Sequence, residues 1–233
     1  MDDLGCMKSL LFLLMMFFVV EVSAQHKVFD NLNEAFKQSE KVKSINLARK
    51  QISSLPDSFS RFVNLEELVI SDNNFNVFPA VVLQCKKLKK LDAAANKFTE
   101  IPASLSALQN LEELSFAYND LKALPKEICL FKNLINFNAS NNTITALPEC
   151  FSSLTKLSIL DFSYNNLSVL PDEIIKLPAL QTLDLGFNRK LQIQKLEQDA
   201  MPALRMFQLK GTSVNDAQMK MMNYAIPDCL LVF

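Results

Sequence analysis

Glycine is almost missing from this chain: Gly5, Gly186 and Gly211 are the only three among 233 residues. They stand too far apart to build the loops that cradle phosphates or dinucleotides, which excludes nucleotide binding by those routes. Tryptophan is absent and histidine is reduced to His26. One histidine remote from the cysteines leaves no zinc-ligand spacing, and no Ser-His-Asp set can be assembled. Charge of one sign is lacking too: 24 Lys and Arg oppose 25 Asp and Glu, so the field that marks nucleic-acid binders is not there. Neither a cofactor nor a nucleic-acid partner is expected.

Also lacking is an apolar run of membrane-spanning length. Leu10 to Val20 is eleven residues, and as a helix it would reach about 16 Å against a hydrocarbon core of roughly 30 Å. Glu21 and then Val22-Ser23-Ala24 follow, the small-residue pattern a signal peptidase accepts before Gln25. Residues 1–24 are therefore expected to be an export signal cut between Ala24 and Gln25, with a secreted or periplasmic product. An uncleaved membrane anchor is the alternative, and membrane contact is then expected only through this segment. Met7-Lys8 supplies a positive lead that Met1-Asp2-Asp3 does not, so Met7 is the expected start.

What the chain has in plenty is leucine at a fixed interval. Leu65, Leu88, Leu111, Leu134, Leu157 and Leu180 recur every 23 residues. From each start the same pattern follows, as in Leu111, Leu114, Phe116, Asn119, Leu121, Leu124, Pro125, Ile128 and Phe131. An earlier copy begins at Val42, and a truncated last copy begins at Leu204, displaced by an insertion near Arg189.

The ninth position is Asn73, Asn96, Asn119, Asn142, Asn165 and Asn188. Where a chain leaves a short strand and bends inward, its backbone groups lose strand partners, and a side-chain amide can both donate to and accept from them. These residues are expected to form a ladder, broken at its ends by Lys50 and Thr212, where one neighbour is missing. The fifteenth position is Pro56, Pro79, Pro102, Pro125, Pro148 and Pro171, suited by its fixed φ to start a helical or 3₁₀ return. One such unit cannot bury its apolar face alone. The expected fold is an α/β solenoid, with a curved parallel sheet on the concave side and short helical or 3₁₀ returns on the convex side. It divides into an N-terminal capping helix over residues 25–41, about seven repeats and a partial last one over 42–214, and a C-terminal cap over 215–233.

On these residues the chain resembles the leucine-rich-repeat family, in the 23-residue Leu-Pro-containing class, and is similar to Ras-suppressor-like scaffold proteins and bacterial exported members. No cysteine-rich segment precedes Val42 and no Gly-x-Ile-Pro motif occurs, unlike typical animal secreted receptors and plant extracellular repeats. The resemblance implies a non-enzymatic module, monomeric, that binds a protein partner. An exported surface or adhesion component is the second reading. An acid-base hydrolase using Asp161 and Asp184 is the third, disfavoured because an open sheet is expected to leave their pKa values unshifted.

Period-2 alternation puts positions 3, 5 and 7 on the concave face, with position 8 at its edge. Position 8 supplies Tyr118, Tyr164 and Phe187, the leading contact residues because aromatics give large contact area at low entropy cost. Position 5 supplies Ser115, Asn138, Asp161 and Asp184, the last two facing each other as like charges. Position 7 is a series of Ala, Ser and Gly, read as a floor that lets a partner approach closely. Cys129 and Cys150 fall near enough in adjacent repeats for a disulfide in an oxidising compartment, with two free thiols as the alternative.

The mature protein should begin at Gln25. N-terminal sequencing of protein recovered outside the cytoplasm checks this, and an intact apolar N-terminus in a membrane pellet would identify an anchor instead.

Overall fold

The computed structural model describes residues 27–233; the expected export segment, its junction at Ala24 and Gln25, and His26 lie outside them. Within each repeat, positions 3 to 5 form a three-residue strand whose middle side chain points into the core. These strands are β2 (Ser44–Asn46), β3 (Glu67–Val69), β4 (Lys90–Asp92), β5 (Glu113–Ser115), β6 (Asn136–Asn138), β7 (Ile159–Asp161), β8 (Thr182–Asp184) and β9 (Met206–Gln208). With β1 (Val28–Phe29) and β10 (Leu230–Val232) they make one ten-stranded parallel sheet in sequence order. Like positions pair throughout, Leu68 with Leu91 and Leu91 with Leu114. This is the solenoid that the 23-residue period predicts.

The returns follow from proline. Pro56, Pro79, Pro102, Pro125 and Pro148 each immediately precede a five-residue 3₁₀ turn, and Pro171 precedes a single helical turn, Asp172–Ile175. The proline carbonyl accepts the first turn's bond, as from Leu105 N–H at 2.9 Å to Pro102. Behind it Leu105, Leu108, Ile128, Phe131, Phe151, Leu154, Ile174 and Leu177 are all buried and close the core from the convex side. Phenylalanines lock neighbouring repeats together: Phe98 meets Phe116 edge-on at 5.4 Å and Phe137 meets Phe162 at 5.6 Å. Cys129 and Cys150 join two adjacent 3₁₀ turns as a disulfide with Cα atoms 5.9 Å apart, while Cys85 is buried among apolar side chains.

Each ladder asparagine reaches backwards. The Asn119 Oδ1 accepts from Phe98 N–H at 3.0 Å, and its Nδ2 donates to Ala93 O, Phe116 O and Ala117 O at 3.0–3.1 Å. The same set of partners, shifted by one repeat, surrounds Asn96, Asn142 and Asn165, and nearly so Asn188. Asn73 has its own version, accepting from both Lys50 N–H and Ile52 N–H. Because the bonds run to the preceding repeat, Lys50 has no repeat behind it to tie to. Thr212 does have one, so a missing neighbour is not its reason; its hydroxyl donates only locally, to Leu209 O at 2.7 Å.

The expected helix over 25–41 is much shorter. Strand β1 comes first and pairs with Ser44 and Ile45, so the sheet edge is covered by backbone rather than by a helix. Helix α1 (Leu32–Phe36) follows, its N-terminus capped by the Asn31 side chain, which accepts from Asn33 N–H, and a 3₁₀ turn spans Ser39–Lys41. Phe36 stacks on Phe62 at 4.9 Å. Numbering the Asp172–Ile175 helix α2, the C-terminal segment opens with α3 (Asp216–Ala225), started by a reciprocal Asn215–Gln218 capping box, and ends in β10.

Asn119→Ala should cost about 1–3 kcal/mol by orphaning buried backbone groups, whereas Lys50→Ala should cost far less. Denaturant melts of the two variants measure the difference; equal losses would contradict the backward-reaching ladder.

Candidate functional site

The concave face begins with how each strand ends. Asn46, Asp92, Asn138, Asp161 and Asp184 at position 5 each accept a hydrogen bond from the N–H two residues on, at 2.8–3.0 Å. This Asx turn satisfies a backbone donor as the chain leaves the sheet. It also brings the side-chain oxygen over position 7. A Cβ on Gly186 would lie 3.1 Å from Asp184 Oδ1 and 3.3 Å from Lys210 O, so the glycine there answers a steric demand of its own turn. Along the position-7 column Ala117, Ser140, Ser163 and Gly186 are buried, while Ala48, Ser71 and Ala94 keep partial exposure.

Position 8 is left-handed in every repeat, with φ between 50° and 71° from Arg49 through Asp72, Ala95, Tyr118, Asn141, Tyr164 and Phe187 to Gly211. Asn and Gly tolerate this region, but a bulky side chain there costs about 1–2 kcal/mol. Three such places nevertheless hold aromatics. Tyr118 is 61% exposed and Tyr164 47%, while Phe187 is half-buried and stacks on Tyr164 with ring centroids 4.2 Å apart. Gly211 continues the row beneath them, for a Cβ there would meet the Phe187 ring at 2.8 Å.

Asp161 and Asp184 stand opposite each other in register. Asp161 accepts from Ser163 N–H, Ser163 Oγ at 2.7 Å and the Ser140 hydroxyl. Burial pushes the Asp161 carboxyl up despite these bonds. Burial also lifts Asp184 to about 7, with the neighbouring Asp161 charge adding to it. The expectation of unshifted carboxylates is therefore corrected: no enclosed pocket is needed, because the packed sheet itself strips water from the column. Ser115 and Asn138 lie half-buried in the same column. Position 3 settles its own charge, Lys90 pairing with Glu113 at 2.7 Å and Glu67 accepting from Ser44 Oγ at 3.0 Å.

Sequence reasoning missed the N-terminal part of this face. A basin of about 790 Å³ is lined by Asp30, Arg49, Lys50, Val69, Asp72 and Tyr118, with small residues between them. Arg49 pairs with Asp72 at 3.0 Å and Lys50 with Asp30 at 3.7 Å. Reading position 8 as a column, with Arg49 and Asp72 one period apart, would have found that first pair. Among the described residues no group of three or more His, Cys, Asp or Glu could hold a metal ion, and no helix is long and apolar enough to cross a membrane.

Residues 132–190 match the family model described as Leucine rich repeat. Over 66 residues the chain is 36% identical to a Dictyostelium discoideum protein described as probable serine/threonine-protein kinase roco8; this is 28% of the chain but 4% of that protein. Among solved structures, a leucine-rich-repeat protein of Leptospira interrogans is similar at a TM-score of 0.78 and 30% identity, over 83% of this chain and 49% of that one. An internalin of Listeria monocytogenes (TM-score 0.64, 15% identity, 87% of this chain and 64% of that one) shares the fold. So does the PEPR1–AtPEP1 structure, at a TM-score of 0.63 and 25% identity, over 76% of this chain and 26% of that one. The chain thus spans about half of the Leptospira protein's length and a small fraction of the kinase's.

The raised Asp184 predicts a pH effect on stability. Its carboxyl holds a proton more tightly folded than unfolded, so the stability it lends is complete below about pH 4 and is lost as pH rises towards 7. Asp184→Asn keeps an acceptor for Gly186 N–H and removes the titration. Its melting temperature should exceed the parent's by several degrees at about pH 8, on the order of 1–2 kcal/mol, with the gain vanishing near pH 4. A pH-independent difference in thermal melts would contradict the shift.

Proposed function

The chain belongs to the leucine-rich-repeat family, and from that premise we propose that it is a recognition module holding a protein partner on its concave face. The observation that carries this is the position-8 row. Tyr118 and Tyr164 expose most or half of a large ring in a backbone region where Asn or Gly would fit without strain. Strain kept at a surface position is a mark of use, since packing alone would favour the easier residue. The Tyr164–Phe187 stack holds its rings in place before any partner arrives, which lowers the entropy lost on binding. The N-terminal basin lies along the same face and shares Tyr118.

Export belongs to the same reading. A Cys129–Cys150 disulfide between adjacent turns persists in an oxidising compartment, in keeping with a signal segment over residues 1–24 and a secreted or periplasmic protein that acts as a monomer.

A photoreactive phenylalanine analogue placed at Tyr118 or Tyr164 should capture the partner, and one placed at the exposed convex residue Lys126 should not. With that partner in hand, Tyr118→Ala, Tyr164→Ala or Phe187→Ala should weaken binding by more than ~1 kcal/mol for at least one of the three. Lys126→Ala should leave affinity unchanged. Normal binding by the triple variant together with loss in the Lys126 variant would place recognition on the convex side.

A further inference from the structure

The concave face is not uniform in how it handles charge. In its N-terminal half several charges are paired across neighbouring repeats: Arg49 with Asp72 and Lys90 with Glu113, while just before the strands Glu66 holds Lys89 and Lys43. Around Asp161 and Asp184 that pattern stops. The flanking members of their column are neutral, Asn138 on β6 and Gln208 on β9. The hydroxyls that face Asp161 are those of Ser140 and Ser163. Lys210, at position 7 of the last repeat and so on the same face next to Gly186, is exposed and forms none of the ion pairs among the described residues. Two carboxylates therefore share a half-buried stretch of sheet, and neither is in an ion pair among the described residues.

Three residues further along the same two repeats stand Tyr164 and Phe187, stacked and held in left-handed backbone. At ~3.3 Å per residue the ring stack lies within about 10 Å of the carboxylates along the chain, a span that one long basic side chain covers. A guanidinium satisfies both elements at once, since it bonds carboxylates through its fork of N–H donors and lies flat on an aromatic face.

The geometry points to Asp161, Asp184, Tyr164 and Phe187 as a subsite for an arginine side chain carried on an extended segment of the protein partner. The inference rests on the recognition reading and narrows it, because no ion pair among the described residues supplies either carboxylate with a complementary charge. An arginine here neutralises a pair that the fold leaves uncompensated, so binding also relieves the like-charge repulsion across β7 and β8. Occupancy follows pH, since Asp184 must give up its proton to be an acceptor for the guanidinium.

The test uses the full chain and two capped pentapeptides, Gly-Gly-Arg-Gly-Gly and the same sequence with Gln, followed by NMR through the rings of Tyr164, Phe187 and Tyr118 and the Asp184 side-chain carboxyl. The Arg peptide should shift the Tyr164 and Phe187 signals with a Kd around ~1 mM, leave Tyr118 unmoved and lower the Asp184 pKa. Its binding should weaken about tenfold from about pH 8 to pH 5.5, and Asp184→Asn should abolish both the pH dependence and most of the affinity at about pH 8. Equal binding of the Gln peptide, shifts confined to Tyr118, a pH-independent Kd, or no response at a concentration tenfold above that Kd would each overturn the arginine subsite. If it falls while photocapture from Tyr118 or Tyr164 still yields a protein, the recognition face stands and only the choice of ligand chemistry is wrong; if both fail, the face itself is wrong.

Discussion

The ladder asparagine is the contact on which this solenoid depends. A 23-residue unit that bends out of a strand carries inward-facing N–H and C=O groups that water cannot reach, and each such group left bare costs about 1–3 kcal/mol. One amide answers several of them, and it does so across the repeat boundary: Asn142 donates to Phe116 O and accepts from Leu121 N–H, both in the unit before it. Apolar packing between repeats is permissive, since Leu, Phe and Ile exchange freely at the inward positions. The amide is not, because aspartate lacks the donor and glutamine displaces it. Register between strands is thereby set by a directional bond, and the surface columns inherit that register.

Surface columns in a solenoid do two jobs, and the structure separates them. At position 5 an Asx turn uses one side-chain oxygen of Asp161 and Asp184, leaving the remainder of each carboxylate to the concave face. At position 7 the same turn limits side-chain size. Only position 8 is set by backbone conformation and free in side-chain direction, which is why it is the place where an aromatic residue has a cost without a packing reward as large as a core site would give.

Much of this was legible in the sequence because it repeats. Asn at position 9 and Pro at position 15 recur often enough to separate demand from chance, and each maps onto one bond or one turn. What did not repeat was not legible. Strand β1 is two residues long, too short for any period, and it exists because β2 offers an open edge. The small residues at position 7 were visible, but the contact of Gly186 with the Asp184 oxygen needs three-dimensional placement. The carboxylate shifts likewise required knowing how far packed neighbours exclude water. The Arg49–Asp72 pair lies one period apart at position 8, where only the aromatic members of the column stand out by residue type.

The division of charge along the sheet follows from the same repetition. Each position-3 or position-8 side chain has a fixed neighbour at the strand spacing, so opposite charges in successive repeats neutralise each other within the fold, as Lys90 and Glu113 do. Like charges in successive repeats cannot, and among the described residues no ion pair gives Asp161 or Asp184 a counter-charge. Burial then raises the pKa of the pair, and a proton becomes the default partner of Asp184 near neutrality. Such a column is stable enough to persist because its Asx bonds do structural service at any protonation state. No ion pair among the described residues uses either carboxylate, so the repulsion that remains is available to a positively charged ligand.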